Sequence, residues 1–422
     1  MRPRPKDSVA LLLLCALPLP RARGETLSLS DCLARAREQS IPAVRAALEE
    51  GAARASLRSA RGVERPQLRF RGQLLRSDDA STNLPDDNNA TLILEQSLNP
   101  LSPDWVRARQ SAAQARAAAL ARAETDADVA LEIKSLYFSI LKDSDAVASL
   151  DQVSGQLRGL LDTVLPKFSI GRVPAFDPVK VRLALADLSR QRGLTRARLD
   201  ARRRTLASAV GLQDASGLVL APVAGSRARP PGDLSAEVLQ GDPTLAALGQ
   251  ETRAARLGAT AAARARWPDL IGGLEYGYAD YATSGMTRGW AARLGLRVPL
   301  YDGGQISART DRARAEVRLA RARVEERRQF LLARLARVRG EARTHRGDQQ
   351  VLAALLPQVR QAALAEVKRY RLGAAGVLEA TDALNLWLNA LLQERAAYYS
   401  YLTDLATLER LTGGRYTAAY DR

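Results

Sequence analysis

The chain has 422 residues, enough for two to three ordinary domains, with 46% hydrophobic residues but only 5% aromatic. Its formal net charge of +17 would suit a nucleic-acid binder, yet only six of the 63 cations are Lys. Arg instead runs through the whole chain, interleaved with Asp and Glu as on solvated helix faces, which argues against nucleic acid as a partner.

The N-terminus reads as an export signal over residues 1–24. Arg2, Arg4 and Lys6 precede a short apolar run, Val9 to Leu17, then Pro18 and Pro20, and Ala22-Arg23-Gly24 forms a small-x-small cleavage site. The run is too short to cross a bilayer, which takes about 20 residues. Leu14 stands before Cys15 where a lipidation motif has Gly, Ala or Ser, so cleavage is expected rather than lipidation. Removing the segment lowers the charge to +13 and leaves Cys32 as the sole cysteine, too few for a disulfide framework or a cysteine metal cluster.

Two halves follow, 25–212 and 234–422, joined by a linker at 213–233 rich in Pro, Gly and Ser. They repeat at an offset of 202 residues. Arg65-Pro66-Gln67-Leu68 matches Trp267-Pro268-Asp269-Leu270, and Phe168-Ser169-Ile170-Gly171 matches Tyr370-Arg371-Leu372-Gly373. Each half opens with one helix of about 30 residues, Leu29 to about Arg65 and Leu234 to about Trp267. Two short strands follow, then a very long proline-free helical stretch, Asp104–Leu165 or Gln305–Leu356. A glycine turn leads to a return helix, Asp177–Val210 or Val377–Leu411. Stretches so rich in Ala and Leu favour helix, and 62 residues make a rod of roughly 93 Å.

The strands are expected near 67–76, 90–98, 269–281 and 289–300. In the last, Trp290, Ala292, Leu294, Leu296 and Val298 alternate with Arg293, Gly295 and Arg297. Leu274, Tyr276 and Tyr278 alternate with Gly273, Glu275 and Gly277, and Leu68 and Phe70 with Arg69 and Arg71; Ile93 breaks the rule between Leu92 and Leu94. Such alternation marks a barrel strand in lipid or a half-buried soluble sheet. Tyr276, Tyr278, Tyr281 and Trp290 fit an interfacial girdle. Four strands cannot close a barrel, and an open edge in lipid leaves backbone groups unpaired. A membrane reading therefore requires other copies of the chain.

Enzyme signatures are missing: there is no phosphate loop, metalloprotease motif or nucleophile elbow, and the single His345 lies in a helical run. No catalytic residue, cofactor or metal site is expected. In order and in duplicate, the motifs resemble the TolC-like outer-membrane efflux protein family. They include the opening Leu27-Ser28-Leu29, the strand starts at Pro66 and Pro268, the exit Val298-Pro299-Leu300-Tyr301-Asp302-Gly303-Gly304 and the turn glycines Gly171 and Gly373. The resemblance implies a mainly α fold with a small β part: two tandem repeats forming a long α-helical barrel in the periplasm and a transmembrane β-barrel. It implies a homotrimer with 12 strands in the bacterial outer membrane. That trimer would act as a passive conduit of an efflux pump or type I secretion system, with an adaptor protein and an inner-membrane transporter as partners.

The resemblance also places a gate at the helix tips. Glu379 and Asp382 match a constricting ring of carboxylates, and Tyr370 and Asp177 match positions that pair across neighbouring helices. The other reading of Glu379, Asp382 and Asp177 is simple: first-turn carboxylates that favour the helix dipole. Ala375 stands where the family has an Arg tether, and Lys180 stands close enough to Asp177 to neutralise it. The short end after Leu411 leaves little room for an accessory equatorial domain. The competing function is a soluble periplasmic helical scaffold or adaptor.

Overall fold

A computed structural model of the chain describes residues 26–75, 87–212, 215, 218–223, 232–281, 285–418 and 420. The expected signal at 1–24, Cys15 included, lies outside the described residues, as does the side chain of Tyr281. The first half runs β1 (Thr26–Leu27), α1 (Leu29–Gln39), α2 (Ile41–Ala60), β2 (Gln67–Leu75), β3 (Asp87–Ser97), α3 (Pro103–Ser169) and α4 (Phe176–Ala209). After β4 (Val219–Leu220) the second runs α5 (Ser235–Gly241), α6 (Pro243–Arg264), β5 (Asp269–Tyr281), β6 (Gly285–Arg297), α7 (Gln305–Leu372) and α8 (Val377–Leu411).

Two expectations about the helices need correction. The opening helix of each half is two helices, broken at Ser40 and at Asp242. Each of these residues caps the next helix, Ser40 accepting from the Ala43 N–H at 3.4 Å and Asp242 from the Leu245 N–H at 2.8 Å. A proline follows within two residues, Pro42 or Pro243, where its fixed φ suits a first turn but its missing N–H cannot continue an earlier helix. The long helices, conversely, do not stop at proline. α3 runs through Pro166 and α7 through Pro357, reaching 67 and 68 residues. Pro357 removes only the donor to the carbonyl of Ala353, an exposed residue whose carbonyl water can satisfy. The chain end also does more than expected. Tyr420 and Ala418 are buried in the central core, where the Tyr420 ring meets Phe138 at 5.4 Å.

Helix contacts order the wall. Beside the sheet the helices lie α2–α3–α6–α7, and away from it α4–α3–α8–α7. The four-stranded antiparallel sheet has the order β2–β3–β5–β6. Strand order therefore copies the order of the helices that feed it, and each half supplies one hairpin. Along these helices Ala43, Ala46, Ala108, Ala113, Ala115, Ala247, Ala254 and Ala261 are all buried. Side chains this small let backbones approach closely, so the helices form a thin wall in place of a thick bundle core.

Larger side chains fill two cores. The central one gathers Ile133, Tyr137, Phe138, Leu206, Leu331, Leu335, Leu402 and Leu405. There β1 and β4 pair in parallel, and the Tyr137 hydroxyl lies 2.6 Å from the Ala221 carbonyl and 3.2 Å from that of Leu27. The second core, near the glycine turns, holds Leu157, Leu160, Val181, Val367, Tyr370, Leu384 and Trp387.

A buried charge network fixes the central level. Asp242, 1% exposed, caps α6 and also takes Arg327 of α7 at 2.9 Å and Arg410 of α8 at 3.6 Å. Arg410 reaches Asp128 of α3 at 2.6 Å. One carboxylate thus ties α6, α7 and α8, and Arg410 carries the network on to Asp128 of α3. Removing one member of a buried pair leaves the other charge uncompensated, at a cost of about 3–5 kcal/mol. Asp242→Ala should therefore lower the thermal unfolding midpoint markedly. Glu49→Ala, which breaks the exposed Arg45–Glu49 pair, should cost less than about 1 kcal/mol and scarcely move it.

Candidate functional site at the helix tips

Both hairpins turn in the same way, because both end on a glycine in the left-handed region. Gly171 has φ 71° and Gly373 φ 81°, a conformation that glycine adopts without strain from a Cβ. In the first turn the N–H of Arg172 donates to the Lys167 carbonyl at 2.9 Å, and in the second Ala374 donates to Arg369 at 2.8 Å. These bonds span five residues and close the last carbonyls of α3 and α7 in a Schellman arrangement.

The side chains break the symmetry. Arg369 stays within its own turn, pairing with Glu366 at 2.8 Å and donating to the Ala374 carbonyl at 3.3 Å. Its counterpart Lys167 crosses to the other hairpin. Its Nζ donates to the carbonyls of Tyr370 (2.7 Å) and Arg371 (3.1 Å) and lies 4.6 Å from the Tyr370 ring centroid. A cation over an aromatic face and at a helix C-terminus is favourable on both counts. Lys167 therefore joins the two tips where Ala375 offers no tether. Sequence reasoning missed it, although the 202-residue offset pairs it with Arg369 and flags a cation in the last turn of each helix.

Of the expected gate residues, the fold brings Tyr370 and Asp177 near one another. Tyr370 is 3% exposed, and burial followed by the nearby Asp177 charge raises its pKa above the phenolic value. Its hydroxyl is buried with no hydrogen-bond partner among the described residues, so the two do not form a hydrogen bond within one chain. Asp177 is half-buried in the first turn of α4, and its pKa is raised by burial, with Lys180 acting in the opposite sense. Glu379 and Asp382 are exposed on α8, three residues apart and so on neighbouring positions of one face. Neither makes an ion pair with a described residue. The Glu379 carboxylate folds back over Gly376, where a Cβ would collide with it, and so lies against the N-terminus of α8. That placement is the helix-dipole arrangement. His345, the lone histidine, lies away from the tips, with Nδ1 2.7 Å from Asp404 across α7 and α8.

Two measurements test the tips. Lys167→Ala should loosen them, read as faster amide exchange over 370–375 and raised single-channel conductance, whereas Arg369→Ala should do so less. Unchanged exchange in Lys167→Ala would remove the tie. The raised pKa of Asp177 means that the folded tip binds more protons than the unfolded chain. Tip stability should then be fully present at acid pH and fall as pH rises through the raised pKa, above the ordinary 3.8. Exchange protection in Asp177→Asn should lose this slope.

Comparison with known proteins places the fold. Residues 234–414 match the model of the outer membrane efflux protein family. No curated protein sequence matches the chain. A membrane protein from Pseudomonas aeruginosa superposes with a TM-score of 0.84 at 19% identity, covering 91% of this chain and 93% of that one. The CmeC outer membrane channel of Campylobacter jejuni gives 0.82 at 15% identity, with 93% and 87% covered. The open state of the MtrE outer membrane channel of Neisseria gonorrhoeae gives 0.80 at 16%, with 92% and 89% covered. By fold the chain is similar to outer-membrane efflux channels, and its second repeat, residues 234–414, carries the sequence pattern of the outer membrane efflux protein family.

Proposed function

We propose that the protein is a passive outer-membrane conduit, a homotrimer whose sheets close into a 12-strand barrel continuous with a helical tunnel gated at its tips. The observation that carries this reading is the sheet. One face presents Leu68, Phe70, Leu274, Trp290, Leu294 and Leu296, each between 45% and 73% exposed in the single chain. The other presents Arg69, Arg71, Glu95, Glu275 and Arg293. Tyr276 and Trp290 stand opposite one another across β5 and β6, where an interfacial girdle would sit. Both outer strands, β2 and β6, have an unpaired edge.

Such a sheet suits lipid on one side and water on the other. A soluble scaffold would leave the aromatic and leucine face in water, and exposed apolar patches of that kind mark an interaction surface. The free edges then call for neighbouring copies, and the free flanks of the helical wall, α2 and α4 on one side and α7 on the other, coincide with them. The number three comes from the family resemblance. So do the periplasmic adaptor and inner-membrane transporter as partners, in an efflux pump or a type I secretion system. Glu379, Asp382, Asp177 and Tyr370 are the proposed gate.

Membrane fractionation with crosslinking tests the reading. The protein should enter the outer-membrane fraction, need detergent for extraction, and run as a heat-modifiable trimer. Cysteines scanned along β2 and β6 should crosslink between copies. A water-soluble monomer would sink the proposal.

A further inference from the structure

The polar face of the sheet carries a hollow that barrel closure does not require. Across the strands the register sets Glu95, Gly273 and Arg293 in one row and Arg69, Ile93, Glu275 and Ala291 in the next. The charges pair diagonally between rows, Arg69 with Glu95 at 3.0 Å and Arg293 with Glu275 at 2.6 Å. Between the two pairs lies a cavity of about 430 Å³ floored by Ile93, Ile271, Gly273 and Gly295. That volume is within the range of small-molecule sites, roughly 300–1,000 Å³.

Two features show that the hollow is open by choice of residue. At Gly277 a Cβ would run into the backbone of Ala90 and Thr91, so glycine is needed there. At Gly273 it would meet only the Leu94 carbonyl oxygen, at 3.7 Å, an ordinary contact. A side chain fits at Gly273, and its absence leaves the floor bare. Secondly, Ile93 and Ile271 put apolar surface on the face that is otherwise polar, the same departure from alternation that Ile93 shows in the sequence.

The rim selects the sign of the occupant. Arg69 and Arg293, 60% and 69% exposed, neutralise Glu95 and Glu275 and line the hollow beside its apolar floor. Arg71 lines the same hollow and has no ion pair among the described residues, so one cation is left over. Guanidinium groups stack on flat aromatic rings and bind carboxylates by paired hydrogen bonds. We propose that this hollow is a transit site for planar aromatic carboxylates, the ring lying on Ile93, Gly273 and Ile271 beside the guanidinium groups and the carboxylate on Arg71. The site rests on the conduit reading, in which this face lines the lumen. Binding there is weak by necessity, because a conduit must release what it holds.

The test uses 2-naphthoate as probe on the purified full-length protein in planar bilayers, with each current normalised to that variant's own open level. In the wild type, 2-naphthoate should reduce the current reversibly, and the neutral 2-naphthalenemethanol should not. Arg71→Gln should raise the half-blocking concentration about tenfold, the loss expected for one charge-assisted contact. Gly273→Leu, which fills the floor, should raise it as well. Equal block of the wild type and both variants, or equal block by the neutral probe, overturns the site. A channel that conducts but ignores 2-naphthoate overturns the site alone. Inserted protein that carries no current even when Lys167→Ala loosens the tips overturns the conduit reading and the site with it.

Discussion

The backbone hydrogen bonds along β2 and β6 are the constraint from which the rest follows. Strand order β2–β3–β5–β6 leaves one edge of each outer strand without a partner. In water such an edge is a liability; in hydrocarbon each unpaired group costs several kcal/mol. A chain with four strands has no internal way to satisfy them. A ring of identical copies would satisfy every edge by one repeated contact, so on the proposed reading closed cyclic symmetry and a membrane barrel are a single solution.

The helical wall obeys the same geometry. Each strand continues into a helix, so the order α2–α3–α6–α7 follows the sheet, and on the proposed reading edges that close in one layer would close in the other. Buried alanines along these helices keep the wall thin, whereas Tyr137, Phe138 and the Asp242 network hold it at the centre. The broken helices belong to this level. Ser40 and Asp242 stop the short helices α1 and α5 and start α2 and α6, and the Asp242 carboxylate serves as cap and ion-pair partner at once. A carboxylate this buried is tolerable because a helix N-terminus and two guanidinium groups surround it.

Much of the fold class was legible because its signals are periodic. Two halves at a constant offset, alternation at period two and very long Ala-rich stretches all survive in a single sequence. The misreadings concern single residues whose meaning depends on context. Pro42 and Pro243 begin helices because a capping Ser or Asp precedes them, yet Pro166 and Pro357 pass through the helix interior. A proline costs one hydrogen bond, and packing over more than 60 residues outweighs that cost. The tips were legible in their backbone and not in their side chains. A glycine with positive φ announces the turn, but nothing local shows that Lys167 reaches across to another hairpin or that the Tyr370 hydroxyl finds no partner among the described residues.

That difference between Lys167 and Arg369 is where two copies of one unit acquire different duties. In the second repeat the cation closes its own turn, so the α7–α8 tip is complete without a neighbour. In the first it is spent on the carbonyls of Tyr370 and Arg371, so the position of the α3–α4 tip depends on α7. Neutralising or displacing a single ammonium would remove this polar tie between the two hairpins and leave the apolar core they share and both turns intact, since the Schellman bonds are made by backbone alone. On the proposed gating, a tip that opens needs a contact of this kind: strong enough to set the spacing, confined to one side chain, and separate from the bonds that keep each hairpin folded. The Tyr370 hydroxyl, buried without a hydrogen-bond partner among the described residues, lies beside it, and a buried polar group left unsatisfied lowers the stability of the packing within one chain. On that proposal the same few residues hold the tips together and keep the hold shallow.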